Sequence, residues 1–524
     1  MKAIRMRRIS LILLLFGCSI SAVGAGVPKK PKLIVAIVID QFRYDYLVRF
    51  RADYTAGLKQ LLDQGAVFDN AHLIHFPSVT APGHSTFLSG ALPSRSGIIG
   101  DDWYDRDAKK NVTSVQDDST KLIGGTPNAT GSSPRRLMVS TVGDEIRMKS
   151  ADSKVIGIAT KDRAAILPGG RLADAAYWYD DNSNHWVTSS YYREALPAWV
   201  KEVNDAGPQP SMSAQWFALN AKPGDRPFCS MLAGFFSGRA CGAIEAGPWG
   251  NEMTEDLAER ALTAEKLGHH DGTDVLTLSF SGHDYVGHTV GPDAPEIRDL
   301  SRRIDLLLGK LLAQVGRAVG LDNVLFVLTA DHGVAPLPEV NEARHMPGGR
   351  LSGTVLLQAV DNALSSKYGA GNWIVSSVYS MIYLDRSLME KYKVSEADVD
   401  RTAAEAVRRL PHIFRVYTAE ELAQGRVTND AVGRTVTDSY YAPRSANLTI
   451  VADPYYLFDT AGTSHGSPFD YDTHVPVIFM GAGIKPGRYD QKIALNDIAP
   501  TLAVIAGVPQ PSGSSGRVLR ELWQ

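Results

Sequence analysis

The sequence predicts an α/β protein built on a doubly wound, mainly parallel sheet. Three observations carry this. Continuous apolar runs at 32–40, 154–160, 274–280 and 323–329 read as strands buried on both faces. Stretches with helical periodicity separate them, as parallel pairing requires. Each run passes into charged residues, and in open α/β sheets functional groups collect beyond the carboxyl ends of the strands. At 524 residues the chain has room for one large domain with insertions. Two stretches, about 170–270 and 340–455, break the strand–helix rhythm. They read as cap-like insertions in a domain spanning 32–524.

Residues 1–25 have the layout of a secretory signal peptide: Lys2, Arg5, Arg7 and Arg8, then an apolar run from Leu11 to Phe16, then small residues. Cys18 loosely resembles a lipoprotein signal. The apolar run is too short to span a membrane comfortably, and no later segment approaches a span. A secreted or periplasmic protein is therefore expected, with no stable span after cleavage. Composition is that of a soluble globular chain, 44% apolar and 21% charged. The net charge of −3 gives no reason to expect nucleic acid binding. Beyond the leader only Cys229 and Cys241 remain, either a disulfide in an oxidising compartment or two buried thiols. Any metal ligands should then be Asp and His.

Taken in order, the first strand runs Lys32 to Ile39 and ends in Asp40. A helix is expected from Ala56 to Gln64, closed by Gly65, and a strand over 66–75. Phe76-Pro77-Ser78-Val79-Thr80-Ala81-Pro82-Gly83-His84-Ser85 follows, a turn into a helix that sets the Thr80 hydroxyl near a helix N-terminus, where free N–H groups favour an anion. The turn Gly100-Asp101-Asp102-Trp103 can return to the same place. Residues 105–134 read as polar loop, and Pro134–Lys149 as helix. The strand 154–160 ends in Lys161-Asp162-Arg163, two cations suited to phosphate oxygens. After 274–280 comes Ser281-Gly282-His283-Asp284-Tyr285-Val286-Gly287-His288. Its Asp284 and His288 share one face of a helical turn and can bind one ion. After 323–329 comes Ala330-Asp331-His332-Gly333, and later Thr463-Ser464-His465-Gly466. A strand is expected at 475–480 and a final helix over Asn496–Ile505.

Asp40, Asp284, His288, Asp331, His332 and His465 are thus six candidate ligands of the type zinc prefers; manganese or iron also accept such a set. They divide into two groups of three, as a two-metal phosphoryl-transfer site needs. The ordered motifs resemble the alkaline phosphatase superfamily, and within it the bacterial threonine-nucleophile, phosphate-irrepressible (PafA-like) alkaline phosphatases. The resemblance implies an alkaline phosphatase-type sheet and two Zn²⁺ per chain. One ion would be held by Asp284, His288 and His465, the other by Asp40, Asp331, His332 and the Thr80 oxygen. It implies Thr80 as nucleophile through a covalent phosphothreonine, and phosphate monoesters as substrates, with Lys161 and Arg163 on the phosphate.

One position departs from that pattern. The family's usual Asn in the Gly-Asn-Asp-Trp turn is Asp101 here, and an ionised Asp101 would repel phosphate. At 4 Å and an effective dielectric near 20 the repulsion is about 4 kcal/mol per charge pair before screening. Asp101 is expected to pair with a cation and to weaken phosphate binding; protonation, or pointing away, are the other options. The alternatives to a monoesterase are a phosphodiesterase or nucleotide pyrophosphatase on the same fold, or a catalytically weak metal-binding relative. A sulfatase would use Cys or Ser in place of Thr80.

Overall fold

A computed structural model describes residues 29–207, 215–232, 235–238 and 243–524. The expected signal peptide, Cys18 and Cys241 lie outside the described residues. Cys229 is disulfide-bonded.

The central sheet is assembled from β1 (Leu33–Ile39), β2 (Ala66–Phe68), β3 (Gln116–Ile123), β4 (Thr130–Ser132), β5 (Val155–Ala159), β6 (Ala175–Asp180), β7 (His185–Ser189), β8 (Asp274–Phe280), β9 (Val324–Thr329), β10 (Val477–Gly481) and β11 (Gly487–Tyr489). Across it the order is β11-β2-β10-β9-β1-β8-β5-β6-β7-β3-β4. The middle five, β9-β1-β8-β5-β6, are mutually parallel. Antiparallel strands flank them: β10 against β9, and β7 against β6. The parallel core is buried on both faces, every residue of β1 being at most 2% exposed. That is why these runs are apolar without alternation. Leu33 pairs with both Asp274 and Val324, so β1, β8 and β9 end almost level. The chain leaves all three at one rim.

Three helices complete that rim: α1 (Thr80–Ser89), α2 (Asp162–Gly169) and α3 (Gly282–Val290). The segment 340–455 carries its own four-stranded sheet, Ile374–Val378, Met381–Leu384, Leu448–Ala452 and Ile413–Thr418. Its separate core includes Trp373, Ile382, Val399 and Ile450.

Several local expectations are corrected. Residues 105–134 are not loop, since they contain Lys110–Thr113, β3 and β4. These strands are antiparallel and half-solvated, so they need little apolar sequence beyond buried anchors such as Val112. Residues 175–189, read as the start of an insertion, add β6 and β7 to the central sheet. The expected strand 66–75 is two short pieces, β2 and Ala71–His72. The expected helix at 134–149 begins only at Val142, where Thr141 and Asp144 form a capping box.

Candidate active site

The rim of β1, β8 and β9 gathers all six predicted ligands. Asp40 follows β1 directly. Asp284 and His288 lie on α3, just past β8. Asp331 and His332 follow β9, and His465 arrives on a Gly-flanked loop. Thr80 is the first residue of α1 and is 1% exposed. The helix can come this close because Gly83 has no side chain: a Cβ there would meet the Asp331 carbonyl oxygen at 2.5 Å.

Two clusters have ligand atoms within 4.8 Å of one another, Asp40-Asp331-His332 and Asp284-His332-His465. His332 therefore stands between the groups. His288 is at the edge, its Nε2 3.2 Å from Asp284 Oδ1, with 38% of its side chain exposed. All three rings are oriented alike. The Nδ1–H of His288 donates to Thr463 O, that of His332 to Gly333 O, and that of His465 to Ser78 O, at 2.9, 3.0 and 2.9 Å. Pinning Nδ1 to a carbonyl turns the Nε2 lone pair inward, the usual preparation of a histidine ligand. The result is a fit for cations. His332 Nε2 and Asp40 Oδ1, both acceptors, face each other at 3.4 Å, fully buried and without a hydrogen-bond partner.

The charges respond to this crowding. Burial and the neighbouring Asp331 push the Asp40 carboxyl up to about 6, against the pull of Lys161. Burial would raise Asp284 too, but Lys161 and His288 outweigh it and hold the carboxyl well below its ordinary range. Burial and the charge of His465 push His332 down to about 3, so its ring is neutral. His465 is held up at about 9 by Asp284 in spite of its burial. A bound cation would compete with the proton for that nitrogen.

Lys161 and Arg163 are both at the site. Lys161 Nζ lies 2.6 Å from Asp40 Oδ2 and 2.6 Å from Asp284 Oδ2, one ammonium shared by two buried carboxylates, and 3.5 Å from Thr80 Oγ1. Arg163 Nε lies 3.2 Å from Asp101 Oδ2. The other Asp101 oxygen, Oδ1, accepts the Ala81 N–H at 2.6 Å. Burial opposes ionisation of Asp101, but Arg163 and the Ala81 N–H lower its pKa below the ordinary value. The cation that pairs with Asp101 is thus Arg163.

Sequence reading missed Gln41. At φ +60 it donates its backbone N–H to Asp331 Oδ1 at 3.2 Å and its side-chain Nε2–H to Asp284 Oδ1 at 2.7 Å, tying the two clusters together. Gly287 makes room for it: a Cβ there would lie 1.9 Å from Gln41 Oε1. His84, on the same helix as Thr80, joins this network. Its Nδ1 is 2.9 Å from Thr80 O and 3.2 Å from Asp331 Oδ2, and its Nε2 is 2.9 Å from Ser279 Oγ.

This rim of carboxylates and imidazoles around a buried hydroxyl belongs to a metal-dependent hydrolytic class. The sequence profile of the type I phosphodiesterase / nucleotide pyrophosphatase family matches residues 34–474, and the chain belongs to that family. More particularly, it is 34% identical over 516 residues to alkaline phosphatase PhoV of Synechococcus elongatus, covering 94% of this chain and 93% of that one. It is 32% identical over 524 residues to alkaline phosphatase PafA of Elizabethkingia meningoseptica, covering 95% of each. The crystal structure of wild-type PafA superposes with a TM-score of 0.88 at 31% identity, covering 94% of this chain and 99% of that one. The expected fold and the PafA-like resemblance therefore hold over nearly the whole chain.

Proposed function

We propose that this protein is a metal-dependent phosphatase that hydrolyses phosphate monoesters, with Thr80 as nucleophile. The observation that carries the reading is the placement of a buried Thr80 hydroxyl at the start of α1 beside two Asp/His clusters sharing His332. Similarity to the alkaline phosphatases PhoV and PafA supports it. The residues present fit two divalent cations, zinc by donor type: Asp40, Asp331, His332 and Thr80 around one, and Asp284, His288 and His465 around the other, with His332 near both. When bound, such ions supply positive charge that lowers the pKa of the Thr80 hydroxyl and stabilises the leaving oxygen.

The chain's own groups do the rest. Thr80 Oγ1, having lost its proton, forms a bond to phosphorus while the ester P–O bond breaks and the alcohol leaves with a proton. Water then attacks the phosphothreonine, releasing inorganic phosphate and restoring the hydroxyl. The N–H groups at the start of α1 and the cations of Lys161 and Arg163 stabilise the equatorial oxygens. Gln41 and His84 hold Asp284 and Asp331 in place.

The test is steady-state hydrolysis of p-nitrophenyl phosphate and its methyl diester at alkaline pH, with and without zinc, on wild type and Thr80→Ala. The reading requires a zinc-dependent preference for the monoester that Thr80→Ala abolishes. One observation favours a diesterase instead: the charge of Asp101 beside Arg163 disfavours a dianion more than a diester. Preference for the methyl diester would establish that alternative. We also propose export, on the pattern of residues 1–25; recovery of the protein only from the cytosolic fraction would refute it. Among the described residues no helix is long and apolar enough to cross a membrane.

A further inference from the structure

Of the donors that would greet a phosphate beside Thr80, one is taken and another is faced by the protein's own anion. Helix α1 has no side-chain cap at Val79. The Ala81 N–H, one residue past the nucleophile, goes to Asp101 Oδ1, and the Arg163 Nε lies against Asp101 Oδ2. Asp101 has two further neighbours. Its carbonyl accepts the Ser114 N–H at 2.7 Å, and burial, together with its charge, raises the pKa of the Tyr379 hydroxyl. Tyr379 stands at φ +52 in the link between two strands of the inserted sheet, so the insertion reaches into the site through this residue.

We propose that Asp101 is an internal competitor for the phosphate group: it occupies the Ala81 N–H, sets its charge against Arg163, keeps affinity for phosphate dianions low, and thereby speeds release of the inorganic phosphate product. The proposal rests on the phosphatase reading and adds how its product leaves. A carboxylate beside the non-bridging oxygens repels whatever charge they carry. A monoester dianion and inorganic phosphate carry two charges on the phosphoryl group, whereas a loose, metaphosphate-like transition state carries less on its equatorial oxygens. The repulsion therefore weighs on substrate and product more than on the transition state, which raises KM and the product inhibition constant without a matching loss in kcat.

Asp101→Asn removes the charge and keeps the shape. The expected result is a fall of about tenfold in the inhibition constant for inorganic phosphate, a parallel fall in KM, and no rise in kcat. Asp101→Ser, which removes the charge without an amide, should move both constants the same way. A second readout needs no turnover: radiolabelled inorganic phosphate should bind zinc-loaded Thr80→Ala/Asp101→Asn about tenfold more tightly than zinc-loaded Thr80→Ala. Unchanged phosphate affinity in both assays overturns the proposal. So does a loss of kcat at constant inhibition, which would make Asp101 a positioning residue for Arg163. If wild type turns over no monoester and Thr80→Ala binds no phosphate, the phosphatase reading itself fails and takes the proposal with it.

Discussion

Adding one methyl group at Gly287 should weaken metal binding through a residue that is no ligand. On a helix, Gly→Ala would by itself stabilise by about 1 kcal/mol. Here the new Cβ would fall 1.9 Å from Gln41 Oε1 and 3.0 Å from its Cδ, so the Gln41 amide must swing away. That breaks the 2.7 Å bond from Gln41 Nε2 to Asp284 Oδ1, a buried hydrogen bond to a charged group, worth about 1.5–3 kcal/mol. The loss outweighs the helical gain. It also frees Asp284 to rotate away from His288 and His465. Zinc affinity, measured by competition with a chromophoric chelator, should fall roughly 10–100-fold, the usual effect of removing such a supporting contact. Gln41→Leu should do the same from the other side. Because both changes remove one interaction, the double variant should be little worse than the poorer single one. Wild-type affinity in Gly287→Ala, or strictly additive losses in the double variant, would refute the reasoning.

Other consequences are independent of that contact. His75 is fully buried, neither ring nitrogen has a partner, and burial pushes it down to about 4. Its depressed value makes stability complete above the unfolded-state value near 6.5 and lost as pH falls towards 4. The difference is about 3 kcal/mol, and His75→Leu should flatten that part of the melting temperature–pH curve. Lys161→Met leaves Asp40 and Asp284 facing each other unpaired. It should cost chelator-treated protein about 3–5 kcal/mol and zinc-loaded protein clearly less, read from denaturant unfolding. Asp305 accepts the N–H groups of Thr55, Ala56, Leu58 and Lys59 and belongs to neither ligand cluster, so Asp305→Ala should lower stability by about 3 kcal/mol and leave kcat of the folded enzyme unchanged.

What was legible in the sequence follows from where each signal resides. β1, β5, β8 and β9 announce themselves because a strand buried on both faces has to be apolar throughout, and Asp40, Lys161, Asp284 and Asp331 stand out as the charges just beyond. β3 and β4 gave no such signal, because a half-solvated antiparallel strand can be as polar as Gln116–Ile123. Gln41 was invisible for another reason. Its role depends on Asp284 and Asp331, 243 and 290 residues away, and only the folded rim brings them together.

Asp101 shows how far motif reading reaches. As a departure from a pattern it was conspicuous, and its pairing with a cation could be argued from charge alone. Its partners could not. Arg163 lies in the first turn of the helix after β5, Ala81 in the first turn of α1, and Tyr379 comes from an insertion with its own core. A carboxylate held by two segments and neighboured by a third is not a neutral replacement for an amide. It accepts an N–H at the start of α1 and offsets a buried guanidinium, so this side of the rim carries an anion before any phosphate arrives. On the proposal made above, an arriving dianion must displace or share the Ala81 N–H and meet the carboxylate charge at Arg163, and a site arranged in this way should bind its product weakly.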